Sequence, residues 1–210
     1  MTRSLFSPDP VANLLPYDGI VQDYGVVLGE EEADDYLQTF LTALAWQHDE
    51  VKLFGQYYRT ARQVAWYADA AYTYVYSGMP KQAQIWHPDL FQLKQKIEQR
   101  VGHLFNSCLA NLYADGQQAM GWHSDNESTL GQQPVIASLS LGATRKFRFK
   151  HQQTQSHVDC MLQHGQLLVM RGTTQQYWKH CITKSARVIE PRINLTFRYF
   201  YPHNEKQPLD

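Results

Sequence analysis

Residues 134–149 read PVIASLSLGATRKFRF. An apolar run over 135–141 stops at Gly142. After it, Lys146, Arg148 and Lys150 alternate with Phe147 and Phe149, giving one basic and one aromatic side. Alternation of period two is the signature of a strand, because successive side chains of extended backbone point to opposite faces. The two runs joined at Gly142 therefore read as adjacent strands.

The same texture fills the chain from residue 108 onward. Strands are expected over 108–114, 135–141, 146–150, 158–162, 166–171, 178–182 and 192–200, punctuated by Gly116, Gly121, Gly131, Gly142, Gly165 and Gly172. Many short strands at such spacing predict a sandwich or barrel. The first half differs. Residues 1–19 carry Pro8, Pro10 and Pro16 and read as an irregular arm into a strand over 20–28. Residues 30–46 open with acidic side chains and place Tyr36, Leu37, Phe40, Leu41 and Leu44 on one side of a helix. A second helix begins at Pro88, with a stripe of Leu90, Leu93, Ile97, Val101 and Leu104. Between them, 51–78 is aromatic-rich and lacks a helical period, so it reads as strands and hairpins. The expected architecture is α+β: one domain over 1–210, a jelly-roll core over 105–202, and N-terminal helices packed on one face.

Composition narrows the function classes. With 43% hydrophobic and 19% charged residues the chain is an ordinary globular one. A formal net charge of −1 provides no global attraction for a polyanion, so any nucleic-acid contact needs a local basic surface. Cys108, Cys160 and Cys181 are odd in number and unpaired in spacing, which disfavours a disulfide framework and a thiolate zinc site. No apolar stretch approaches the roughly 20 residues of a membrane span. A soluble cytoplasmic monomer is expected.

Chemistry is carried by GWHSDNE, in which His123 and Asp125 are two positions apart and share a face of extended chain. Such a pair is weak alone: His157 and Asp159 repeat it, and there it reads as a solvated hairpin edge. His180, several strands further on, supplies the third group. Two imidazoles and one carboxylate on one face of a metal leave coordination positions open, as non-heme Fe(II) oxygenases require, whereas closed structural zinc wants a fourth ligand. Residues 192–200, RINLTFRYF, add Arg192, Asn194, Thr196 and Arg198 on one face of a strand. Two inward arginines need anionic partners, and a dicarboxylate such as 2-oxoglutarate would provide them. The remaining histidines read as surface or core groups.

Taken together, Asn111-Leu112-Tyr113, His123-x-Asp125, His180 and Arg192-x5-Arg198, with PVIASLSLGATRKFRF and PRINLTFRYF, resemble the AlkB family of iron/2-oxoglutarate dioxygenases, nearest the branch that acts on duplex DNA. The resemblance spans roughly residues 50 to 200 and implies a double-stranded β-helix with its site in the mouth. It implies DNA repair by oxidative demethylation: Fe(II), O2 and 2-oxoglutarate hydroxylate an N-methyl group, giving succinate, CO2 and formaldehyde. By position, His123, Asp125 and His180 would hold iron; Asn111, Tyr113, Arg192 and Arg198 would line the 2-oxoglutarate pocket. Residues 50–80 would form a nucleotide-recognition lid, with Tyr74 and Tyr76 against the flipped base, Glu127 at its edge and Phe54 in the gap it leaves. Lys146, Arg148 and Lys150, extended by Arg59, Arg62, Lys184 and Arg187, could form a phosphate track. The same iron chemistry on RNA or a protein side chain, and a non-catalytic nucleic-acid-binding jelly-roll, are the competing readings.

Overall fold

The computed structural model describes residues 12–53, 56–76 and 79–202. In chain order the elements are β1 (Ile20–Val26), α1 (Glu30–Ala43), β2 (Gln47–Leu53), β3 (Gln56–Ala68), β4 (Thr73–Tyr76), β5 (Met79–Gln82), β6 (Gln84–Ile85), α2 (Pro88–Val101), β7 (Ser107–Tyr113) and β8 (Met120–His123). They continue with β9 (Ile136–Gly142), β10 (Arg145–His151), β11 (His157–Leu162), β12 (Gln166–Arg171), α3 (Thr174–Tyr177), β13 (Trp178–Ile182) and β14 (Arg192–Arg198). The main sheet runs β1-β12-β9-β14-β7-β3-β2 with β6 beside β3, and a second sheet runs β11-β10-β13-β8. Among the described residues every strand pairing apart from the parallel β3·β6 pair is antiparallel.

The main sheet is covered on both faces, which explains why its central strands read as nearly continuous apolar runs. On one side Leu139, Val169, Ile193, Leu195 and Phe197 pack with Phe40, Leu90, Leu93 and Ile97 from the two helices. On the other, Ile136, Leu168 and Met170 meet Phe147, Phe149, Trp178 and Ile182 of the second sheet. The polar face of β14 therefore looks into the sandwich. Deleting a fully buried anchor such as Leu90 costs about 2–5 kcal/mol in comparable cores.

Helix α2 starts as expected, with Pro88 in its first turn and the His87 side chain accepting from the Asp89 N–H. It stops at Gly102, whose φ of 68° suits glycine. Leu104 lies beyond this cap and is 69% exposed, so it is not part of the stripe. Helix α1 ends at Ala43, three residues before the expected end; Leu44 is extended yet still buried. The main sheet also reaches outside 105–202, since β1 pairs with β12 and β3 with β7. Residues 12–19 are irregular, pinned by Asn13 Oδ1, which accepts from the Leu15 and Val21 N–H groups. Among the described residues no helix is long and apolar enough to cross a membrane.

Candidate active site

Strand β8 is only four residues long and sits at the edge of the second sheet, where it pairs with β13 so that His123 lies opposite His180. The ring centroids are 4.3 Å apart. Asp125 lies two residues past the end of β8; its backbone N–H donates to Gln175 Oε1 at 2.9 Å, fixing the loop beneath the pair. One potential ligand atom from each of His123, Asp125 and His180 lies within 4.8 Å of the others.

The protonation states suit a cation. His123 Nδ1 lies 2.8 Å from the Gly121 carbonyl, which can only accept; Nδ1 is therefore the donor, and Nε2 is the nitrogen turned to the Asp125 side. That Nε2 is 4.0 Å from Asp125 Oδ1. Burial pushes the His180 pKa down to about 3, with His123 alongside lowering it further, so its imidazole is neutral. Its Nδ1 is buried with no hydrogen-bond partner among the described residues. For Asp125, burial acts upward but is outweighed, first of all by the Arg198 guanidinium, so the carboxyl is held below the ordinary range. Arg198 Nη2 lies 3.3 Å from Asp125 Oδ1. Two imidazoles, one of them the buried neutral ring of His180, beside an ionised carboxylate are a donor set that fits Fe(II).

Arg192 is fully buried on β14, and only its Nη2 finds a partner, Ser140 Oγ at 2.9 Å. Nε and Nη1 have none among the described residues. Burial lowers its pKa to about 10, still far above neutrality, so it is a charged fork that no carboxylate pairs with among the described residues. Its Cζ stands 5.5 Å from the Tyr113 ring centroid. A dicarboxylate fits this cradle because it supplies the charge and acceptors that Arg192 lacks. Arg198, on the same strand face, is instead engaged by Asp125.

A cavity of about 740 Å³ is lined by His123, Asp125, His180, Asn111, Tyr113 and Arg198 among others, with Arg192 behind its Tyr113 wall. Glu127 also lines it, with Oε2 buried and unpartnered among the described residues. Tyr74 and Tyr76 lie at alternate positions of β4, which pairs with β5. Phe54 falls outside the described residues. The basic side of β10 is not bare: Asp159 on β11 binds Lys146 and Arg148, each at 2.7 Å, so His157 and Asp159 do form a hairpin edge but the acid has a role.

Arg62 corrects an expectation. It is 8% exposed and contacts Asp49 and Asn111 inside the cavity, so it belongs to no outer phosphate track. Arg145 was missed. It stacks over Tyr113 and donates to four carbonyls, of Asp115, Gly116, Gln118 and Thr183, tying two loops under the pocket. Its signal was present, since it shares the inward parity of Phe147 and Phe149.

Comparison with known proteins agrees with this geometry. Residues 24–198 match the family model described as "2OG-Fe(II) oxygenase superfamily". The chain is 37% identical to human "Alpha-ketoglutarate-dependent dioxygenase alkB homolog 3", covering 96% of this chain and 71% of that protein. It is 35% identical to mouse "DNA oxidative demethylase ALKBH2", over 88% of this chain and 82% of the relative. The solved structure of OsALKBH1 superposes with a TM-score of 0.58 at 14% identity, over 88% of this chain and 98% of the other, a likeness of fold. A His-Asp-His cluster and a buried, unneutralised arginine on facing sheets, in a chain this similar to those relatives, place it in a single lineage: the chain belongs to the AlkB family of the 2OG-Fe(II) oxygenase superfamily.

Proposed function

We propose that this protein removes N-alkyl groups from DNA bases by oxidative demethylation. The observation that carries the reading is a His-Asp-His cluster in a cavity whose Tyr113 wall is backed by the Arg192 fork, two of whose nitrogens find no partner among the described residues. In such enzymes bound Fe(II) couples O2 and 2-oxoglutarate to hydroxylation of the N-methyl group, with loss of succinate, CO2 and formaldehyde. His123, Asp125 and His180 hold the metal, and Arg198 keeps Asp125 ionised and in place. Arg192, Asn111 and Tyr113 take the cosubstrate, with Arg192 on its distal carboxylate. Tyr74 and Tyr76 support the extruded base, Glu127 accepts from its edge, and Phe54 fills the vacated stack.

The name of the ALKBH2 relative supports DNA as the substrate. The test is anaerobic loading with Fe(II) and 2-oxoglutarate, exposure to O2 with methylated DNA and RNA oligonucleotides, and mass spectrometry of the products. Replacement of one N-methyl by N–H in DNA, a net loss of CH2, with matching succinate is the expected result. Succinate formed without any demethylated DNA, or demethylation confined to RNA, refutes the assignment.

A further inference from the structure

Four polar side chains from four strands form one chain of contacts along the cavity wall. Lys81 on β5 donates to Asp49 Oδ1 at 2.8 Å. Arg62 Nη2 on β3 lies 3.5 Å from Asp49 Oδ2. Arg62 Nε then donates to Asn111 Oδ1 on β7 at 3.0 Å. Asp49, Arg62 and Asn111 are all at least nine-tenths buried.

We propose that Arg62 is a positioning residue that fixes the Asn111 carboxamide for the cosubstrate, and that Asp49 holds Arg62 in that role. The inference rests on the reading that 2-oxoglutarate lies against Asn111. A carboxamide can flip, presenting either an acceptor or a donor to its ligand. A guanidinium only donates, so facing Arg62 with the amide NH2 would set donor against donor. The oxygen therefore faces Arg62, and the N–H groups are left for the cavity, where a carboxylate needs donors. A guanidinium offers donors and no acceptor, so it fixes this polarity. A buried guanidinium needs a counter-charge, and Asp49 provides it while Lys81 balances the remainder. Because Lys81 belongs to the strand paired with β4, the recognition strands take part in building the cosubstrate pocket.

The experiment titrates 2-oxoglutarate into the full chain loaded with Mn(II), without O2 or nucleic acid, by calorimetry. Wild type, Arg62→Lys, Arg62→Gln, Asp49→Asn and Arg192→Ala are compared, with Mn(II) affinity and Tm measured for each. Lysine keeps a cation beside Asp49 but cannot bond Asp49 and Asn111 as a fork, so the fold is retained while the orientation is lost. Both Arg62 variants are expected to bind 2-oxoglutarate about tenfold more weakly, and Asp49→Asn about threefold, at unchanged Mn(II) affinity. If Arg192→Ala abolishes binding while both Arg62 variants bind as wild type does, the positioning role is overturned and the pocket reading stands. Losses of Mn(II) affinity and Tm in step with the cosubstrate also overturn it, because they mark a general packing role. Absence of 2-oxoglutarate binding by wild type overturns the pocket reading itself.

Discussion

His123 and His180 face each other across β8 and β13, one partly exposed and the other 4% exposed against a stacked Phe147 ring 5.2 Å away. The two ligands thus differ in what supports them. His180 is held by a core strand, whereas His123 depends on a short edge strand and on its bond to the Gly121 carbonyl. Asp125, just beyond that edge, leans on Gln175 and Arg198.

Removing either histidine should abolish metal-dependent turnover, but at different cost to the fold. His123→Ala is expected to lose Mn(II) binding in calorimetry with a Tm within a few degrees of wild type. His180→Ala also empties a buried volume, which destabilises cores by about 2–4 kcal/mol, and should melt clearly lower. A chelator should silence wild type, with activity restored by added Fe(II). Metal binding retained by His123→Ala would exclude it from the ligand set.

Arg192→Met separates stability from cosubstrate binding. Without an anion the buried guanidinium is destabilising: its folded pKa of about 10 lies below its unfolded value, so the penalty is fully present at neutral pH and fades only as pH rises past 10. A methionine of similar shape removes that penalty. The variant is expected to have an equal or higher Tm than wild type in the absence of 2-oxoglutarate. Wild type should gain several degrees on adding the cosubstrate, and the variant should gain none. A variant that melts lower and still shifts with 2-oxoglutarate would move the anchor elsewhere.

How much of this was legible in the sequence depended on how local each signal was. The strand boundaries after residue 108 came out within a residue or two for most strands, because alternating parity and glycine stops are short-range. Strand β8 was not anticipated: Met120–His123 is too short to show a period, and it exists through pairing with β13. The Arg192 face was readable, since β14 alternates cleanly. The Asp49–Arg62 pair was not, because nothing near either residue marks it as buried; a β-bulge between His48 and Glu50 sets the register that brings them together. Arg62 therefore looked like one more surface cation.

Asp159→Ala should strengthen nucleic-acid binding. Its carboxyl is drawn below the ordinary range by Lys146 and then Arg148, so it stays charged across pH 5–8 and screens both. Freed of it, the outward side of β10 presents Lys146, Arg148 and Lys150 together. Affinity for a DNA oligonucleotide, measured by fluorescence anisotropy, is expected to rise a few-fold at low salt, with a steeper salt dependence of binding. Because Asp159 and Lys146 are exposed and Arg148 is only half-buried, Tm should change little. Unchanged affinity and slope would mean that nucleic acid does not pass over this face.

Phe54 provides the sharpest test of substrate form. It lies outside the described residues; β2 and β3 pair out to Leu53 and Gln56. If Phe54 occupies the gap left by an extruded base, its loss should penalise flipping, a cost of a few kcal/mol per unstacked step, without touching metal, cosubstrate or the chemical step. A base in a single strand needs no such help. Phe54→Ala is therefore expected to lower demethylation of a methylated base in duplex DNA by about tenfold or more while sparing the same base in a single strand. Substrate-free conversion of 2-oxoglutarate to succinate should be unchanged. A core phenylalanine behaves otherwise: its truncation costs about 3–5 kcal/mol of stability, lowers Tm, and depresses both activities together. Equal losses on duplex and single strand, with a lower Tm, would therefore reject the wedge and with it the preference for duplex DNA.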